Sequence, residues 1–366
     1  MRLKAVGGCG SDSQHGFSFP ESVAMNLTMI QLPFFMIYVS LLGRCSKKAN
    51  GHPFNRVLND KTEYYVLSYL SVQLQAISGS SLMAYANWAE QKKLKEVVDD
   101  LGDTRFGWVG PRETKHVVIY CHRGGFVGPL SGSQVEFWYR IQQALKKKKN
   151  LKLGVAVLQY STYPAFFPTQ LNELLLAIEH LMSMGVSPPK IRLAGDSAGA
   201  NIIPQRLRWH LLNLALREYD DSFDLVPAKC FGLWTDTHLS TTPESHRVYI
   251  QPDTAPKGWL AGLHKITKRI LITAGRNELL YDSIVGFSEA VKEVHGDVRL
   301  DMQDGGVHCD AMFDIGAGST APHSIEKRVT DWFAETLEKR KVQNYSSVVS
   351  FTAKRNVFLQ CRCFGI

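Results

Sequence analysis

Between residues 117 and 339, short apolar runs alternate with longer segments whose apolar residues recur every three or four positions. The runs at 117–120, 153–159, 191–194, 230–234, 269–273 and 298–302 are strand candidates, apolar enough to be buried on both faces. The intervening segments at 135–145, 171–184, 200–217, 283–294 and 325–339 carry helical spacing. Strands alternating with helices of this length predict an α/β class, with a mostly parallel sheet covered on both faces. Ahead of that unit, 59–95 is helical in pattern: Tyr65, Leu67, Leu70, Val72 and Leu74 belong to one amphipathic stretch, and 82–94 forms a second. Two helices before the sheet are expected to make a small N-terminal cap, with plain packing helices as the alternative.

The ends differ from this pattern. Residues 1–24 are polar and aperiodic and are expected to be disordered. Residues 27–42 form an apolar run interrupted by Thr28, Gln31, Pro33 and Ser40 and followed by Arg44, Lys47 and Lys48. At about 16 residues it lies at the short edge of a membrane span, so a membrane anchor and a surface-docked helix stand as equal readings. A cleaved signal peptide fits poorly, because the apolar part starts late and the region before it is not basic overall. If the run spans, its basic flank places the following chain on the cytosolic side, at a membrane such as that of the endoplasmic reticulum; otherwise the chain is expected in the cytoplasm. The organisation expected is therefore an N-terminal segment at 1–58, a catalytic-type domain at 59–340 and a C-terminal tail at 341–366. The tail is aperiodic, and no internal repeat is present.

Composition adds exclusions. With 366 residues, 45% hydrophobic and 21% charged, the chain can bury a sizeable core. The net charge of +8 is moderate and includes the run Lys146-Lys147-Lys148-Lys149, which suits a solvated helix end. Basic residues do not interleave with aromatics, so no nucleic-acid partner is expected. The seven cysteines (Cys9, Cys45, Cys121, Cys230, Cys309, Cys361, Cys363) show neither disulfide-framework nor zinc spacing. No metal or cofactor is expected, and no signal for an oligomeric state is present.

The chemistry concentrates after the strands, where open parallel sheets collect ligands. The run at 191–194 leads into Gly195-Asp196-Ser197-Ala198-Gly199, a Gly-x-Ser-x-Gly turn with a helical segment behind it. A serine nucleophile needs a turn so sharp that only small residues fit two positions before and after it. After 117–120 comes Cys121-His122-Arg123-Gly124-Gly125, whose two glycines allow backbone N–H groups close to a substrate. Gly124, Gly125 and the Ala198 amide are thus candidate oxyanion donors. After 269–273, Glu278 or, as the alternative, Asp282 offers a carboxylate to orient a histidine. After 298–302, His308 stands in the Gly-rich stretch Gly305-Gly306-Val307-His308. The chain order serine, acid, histidine is that of α/β-hydrolases. Cys309, beside the histidine, lacks any base-bearing pattern of its own.

His122-Arg123-Gly124-Gly125, the 195–199 turn, Asn277-Glu278-Leu279-Leu280-Tyr281-Asp282 and Val307-His308 together resemble the hormone-sensitive-lipase branch of α/β-hydrolases. The resemblance is closest to fungal steryl acetyl hydrolase-type esterases and covers about 65–339. Tyr160-Ser161-Thr162-Tyr163-Pro164 with Phe167-Pro168 is similar to that branch's segment before the nucleophile. The resemblance implies an α/β-hydrolase fold, Ser197 as nucleophile, His308 as base and Glu278 as acid. It further implies a short acyl group, such as acetyl, on a hydrophobic alcohol such as a sterol or secondary metabolite. Two departures accompany it: Arg123 replaces the first glycine of a His-Gly-Gly-Gly loop, and the interval 234–269 is short for a branch that often carries cap residues there. A non-catalytic ligand-binding protein on the same scaffold, or an amide hydrolase sharing the tetrahedral route, are the competing readings.

Overall fold

The computed structural model describes residues 18–42, 52–70, 73, 77–207, 224–240, 242–247, 260–343 and 359–362. Three helices come first: α1 (Phe19–Leu42), α2 (Phe54–Leu70) and α3 (Ser81–Gln91). A short hairpin of β1 (Val98–Asp100) and β2 (Arg105–Trp108) precedes the alternating unit. That unit runs β3 (Val117–Cys121), α4 (Gly132–Lys149), β4 (Gly154–Gln159), α5 (Thr169–Ser183), β5 (Ile191–Asp196) and α6 (Ala198–Leu207). After α7 (Ala228–Ser240) come β6 (Ile270–Gly275), α8 (Tyr281–Val294), β7 (Val298–Gln303), α9 (Asp310–Gly316), α10 (Ser324–Gln343) and β8 (Leu359–Arg362).

The eight strands form one sheet in the order β1-β2-β4-β3-β5-β8-β6-β7. β1 and β2 pair antiparallel, as do β2 and β4; the remaining pairs are parallel. β3, β4, β5 and β6 are buried along their whole length, as strands covered on both faces must be. Register decides where the loops emerge. Cys121 lies opposite Gly195 and Gly275 opposite Gln303, so neighbouring strands end nearly level and their following loops meet at one edge. The helices are tied locally: Ser131 and Gln134 make a capping box at the start of α4, and Asn150 ends it in the left-handed region at φ +48°. The lysine run forms the last turn of α4, where cations favour the helix C-terminus. Trp138 of α4 meets Phe333 of α10 edge to face at 5.9 Å over the sheet.

The cap helices are held by side chains. The Arg56 guanidinium of α2 is buried; it donates to Asp60 at 2.6 Å and to Asp310 at 2.6 Å, and it also pairs with Asp314. Leaving a buried charge unpartnered costs about 3–5 kcal/mol, so this cluster fixes α2 against the first turn of α9. α1 leans on α2 through stacking of Phe35 on Tyr65 at 4.3 Å and a Tyr65 hydroxyl bond to Gln31. Its remaining surface is open, with Phe34 and Leu41 more than two-thirds exposed.

Several expectations from sequence are corrected. Residues 230–234 are helical: Cys230, Phe231, Trp234, Thr235 and His238 of α7 are buried on one face, a spacing that the short apolar run conceals. The position next to β5 is taken by β8, so part of the tail belongs to the centre of the sheet. The helical segment starting near 200 is described to Leu207; its expected continuation to 217 lies outside the described residues. α1 begins at Phe19, inside the stretch expected to be disordered, where Ser18 and Glu21 cap it reciprocally. Residues 1–17 lie outside the described residues. α2 starts at Phe54, ahead of the boundary expected at 58, and α10 continues past 340. The hairpin strands β1 and β2 and the short helix α9 have no counterpart among the sequence-based elements.

Because β8 pairs on both sides, its loss leaves two open ladders in mid-sheet. A chain ending at 343 is expected to lose several kcal/mol of unfolding free energy, at about 0.5–1.5 kcal/mol per hydrogen bond, read as a lower denaturant midpoint.

Candidate active site

The sharp turn after β5 is built by steric exclusion. Ser197 has φ +52°, in the left-handed region that a serine rarely occupies. A Cβ on Gly195 would stand 2.5 Å from the Gly199 carbonyl, and one on Gly199 would stand 2.1 Å from the Cys121 oxygen. The second contact is with the end of β3, so the start of α6 is pressed against the loop that follows it. Asp196, between glycine and serine, is anchored by the buried Tyr120 hydroxyl at 2.7 Å.

The structure brings together residues from three strand ends. His308 Nε2 lies 3.0 Å from Ser197 Oγ, and His308 Nδ1 lies 3.2 Å from Glu278 Oε2. In the neutral ring the partners assign the tautomer: Nδ1–H donates to the carboxylate, which leaves Nε2 to accept the serine hydroxyl. Glu278 is itself held by the Gly275 N–H at 2.7 Å. Asp282, the other carboxylate considered, is exposed in the first turn of α8. Ser197 and His308 are each 2% exposed. Burial alone would lower the His308 pKa; the Cys309 sulfur, the Glu278 carboxylate and Asp224 outweigh it and hold the imidazolium form well above the usual range.

The loop after β3 is equally constrained. Gly124 and Gly125 have φ +128° and +59°. A Cβ on Gly124 would meet the Gly128 oxygen at 2.4 Å, and one on Gly125 would meet the Trp234 ring at 2.4 Å. The Gly124 carbonyl accepts the Val127 and Gly128 N–H groups, which closes the turn. His122 stacks on Tyr160 at 4.1 Å and donates Nδ1–H to the Arg123 carbonyl at 2.7 Å. Burial pulls the His122 pKa down to about 4, so it is neutral near pH 7. The Tyr160 hydroxyl holds the His122 carbonyl at 2.7 Å. The Arg123 guanidinium lies over the Phe313 ring of α9 at 4.3 Å, a cation–π contact that gives the cation a place on α9.

α7 covers the constellation. Phe231 meets the His308 ring edge-on at 5.4 Å, Trp234 backs Gly125, and His238 stacks on Phe126 at 4.4 Å. Enclosure, left open by the short interval after 234, is thus supplied by an aromatic helix face within the described residues. A separate cavity of about 540 Å³ between α3 and the start of α4 is lined by Met83, Trp88, Leu130 and Ile315 and includes neither Ser197 nor His308. Among the described residues, no group of three or more His, Cys, Asp or Glu side chains is placed to hold a metal.

Several solved structures share this architecture. An esterase/lipase from an uncultured bacterium superposes with a TM-score of 0.54 at 17% identity, covering 72% of this chain and 92% of that one. An esterase from the bacterial hormone-sensitive lipase family gives 0.54 at 16% identity, covering 75% and 97%. A structure from work on two fungal esterases from Rhizomucor miehei gives 0.54 at 17% identity, covering 71% and 90%. The chain has the α/β-hydrolase fold. No protein-family model matches the sequence, and no curated protein matches it significantly.

On this hydrolase fold, two features of the site escape sequence reading. Asp224 accepts N–H groups from both the acid and the histidine loops, yet it follows the charged stretch Glu218-Tyr219-Asp220-Asp221 with no motif to single it out. The cover by Phe231 and Trp234 had a legible signal, their helical spacing, masked by the strand-like run. Since Gly199 has backbone on its open side, Gly199→Ala is expected to destabilise the fold by about 1–3 kcal/mol or more, measured by chemical unfolding. The same substitution at Gly286, where a Cβ meets nothing within 4 Å, is the control.

Proposed function

We propose that the chain is a serine hydrolase of carboxylic esters. The observation that carries this reading is the continuous hydrogen-bonded line Ser197–His308–Glu278, assembled at the carboxyl ends of β5, β7 and β6. In this reading His308 Nε2 takes the Ser197 proton as Oγ attacks the ester carbonyl. Glu278 holds the Nδ1 proton and stabilises the imidazolium. The Ala198 amide, in the first turn of α6 and hence without an intrahelical acceptor, joins the Gly124 and Gly125 amides in binding the oxyanion. His308 then protonates the leaving alcohol, and water, activated by the same histidine, releases the acyl group. Attack requires neutral His308, whose pKa is raised, so activity rises with pH through a midpoint above the ordinary imidazole value.

The substrate class proposed is the one that the resemblance to steryl acetyl hydrolase-type esterases implies, and the aromatic cover supports it. A site roofed by Phe231 and Trp234 suits a short acyl group, such as acetyl, on a hydrophobic alcohol; a sterol or a comparable secondary metabolite has that chemistry. A fungal esterase stands among the structural neighbours. The near-complete burial of Ser197 favours a second reading, a ligand-binding protein on this scaffold. The two separate in one experiment: wild type is expected to hydrolyse a chromogenic acetyl ester and to label with a fluorophosphonate, while Ser197→Ala loses roughly 10,000-fold or more of the rate. Equal rates for the two proteins, with ligand binding retained, would establish the second reading.

α1 completes the proposal. Its 24 residues span about 36 Å at 1.5 Å per residue, against a hydrocarbon core of about 30 Å. The mean hydropathy of its most apolar 18-residue window is 1.6, and only 11% of that window is buried. We assign it to a membrane, where a hydrophobic alcohol ester would partition. Removing residues 1–50 is expected to shift the protein from the membrane to the soluble fraction on sedimentation; retention in the membrane pellet would count against the anchor.

A further inference from the structure

One buried carboxylate at the site has no part in the reaction described above. Asp224, just ahead of α7, is 2% exposed. Its Oδ1 accepts the N–H groups of Leu225 at 2.7 Å and His308 at 3.1 Å, and its Oδ2 accepts the N–H of Leu279 at 2.8 Å. Leu279 directly follows Glu278. One carboxylate therefore holds the backbone of the base itself and of the residue beside the acid. These two residues sit on loops from different strands, β7 and β6. The loops are otherwise tied through the Arg276 and Asn277 N–H groups, which donate to the carbonyls of Gln303 and Gly306 at 3.0 and 2.9 Å. That tie grips the loops ahead of Glu278 and ahead of His308. Asp224 grips them at His308 and just beyond Glu278.

We propose that Asp224 is a positioning residue for the catalytic pair. Its two oxygens lock the acid loop to the base loop, set the Glu278–His308 hydrogen bond, and add a second negative charge facing the imidazole. The proposal rests on the serine-hydrolase reading. Three charge-assisted main-chain bonds compensate the burial of an ionised carboxylate, which no packing role requires. The titratable groups acting on Asp224 are His308 and Glu278, and those acting on His308 are Cys309, Glu278 and Asp224. Burial pushes the Asp224 carboxyl up to about 6, with the His308 charge opposing and Glu278 reinforcing, so it is mostly ionised at neutral pH. Its charge in turn raises the His308 pKa.

Asparagine is the informative replacement. It offers one acceptor oxygen and one NH2, so in either orientation a donor faces a donor at one of the two loops. Asp224→Asn is expected to lower kcat on a chromogenic acetyl ester by about 10- to 100-fold, with KM within about twofold, because the histidine is misplaced while Phe231, Trp234 and the Gly124–Gly125 loop are untouched. With the charge removed, the His308 pKa falls, so the acid limb of the kcat profile moves to lower pH. Asp224→Glu, which keeps both oxygens and the charge, is expected to recover part of the rate. Melting temperature and fluorophosphonate labelling are followed in parallel. Wild-type kcat and acid-limb midpoint in Asp224→Asn would overturn the proposal. So would a loss of rate that follows a loss of folded protein with the midpoint unmoved. Should Asp224→Asn not fold, Asp224→Ser, which removes the charge without an amide donor, is judged by the same midpoint. A wild type no faster than Ser197→Ala would instead sink the hydrolase reading, a result distinguishable from either outcome at Asp224.

Discussion

The molecule depends on one close approach: backbone against backbone where the end of β5 turns into α6 beside the end of β3. Ser197 can stand clear of the sheet only because Gly195 and Gly199 carry no Cβ, at sites where one would lie 2.1–2.5 Å from main-chain atoms. That contact brings the Ala198 amide beside the loop bearing Gly124 and Gly125. The level register of β3 and β5 makes the approach unavoidable rather than incidental. Strain at Ser197, at φ +52°, persists because neighbours on both sides leave the turn no other path.

Around that turn the electrostatics are set by burial. His308, Glu278 and Asp224 are almost fully enclosed, so each charge needs a partner within hydrogen-bond reach. Glu278 has the Gly275 N–H and the imidazole; Asp224 has three main-chain N–H groups. The Cys309 sulfur and the carboxylates of Glu278 and Asp224 hold the imidazole toward its protonated form against the opposing effect of burial. The cluster at Arg56 has the same logic on a second front. It binds Asp310, two residues after His308, to the cap helix α2, so the base loop is fixed from the cap as well as from the sheet.

The roof and the sheet centre are linked by one substitution of roles. The segment that reads as a strand before Trp234 is a helix that turns Phe231 and Trp234 onto His308 and Gly125. The strand position beside β5 is held by Leu359–Arg362, from the far end of the chain. One apolar segment thus closes the site, and a terminal one completes the sheet. Solved esterases superpose on more than seven-tenths of the chain at 16–17% identity, which shows how far this architecture is carried by strand order and loop placement rather than by residue identity.

The sequence by itself determined the α/β alternation, the strand ends that bear chemistry, and the order of Ser197, Glu278 and His308. Those signals are local: buried strands are short apolar runs, and a glycine-flanked serine marks a turn that other residues cannot make. Tertiary structure alone decided the rest. Glu278 rather than Asp282 faces His308 because the turn after β6 directs one inward while α8 carries the other to solvent. Arg123 rests over Phe313, a residue 190 positions away by number, which no loop pattern encodes. Asp224 gained its place, and residues 230–234 their helical form, from partners distant in the chain. Long-range hydrogen bonds and packing select among local options that are close in free energy, and a pattern read along one dimension does not contain them.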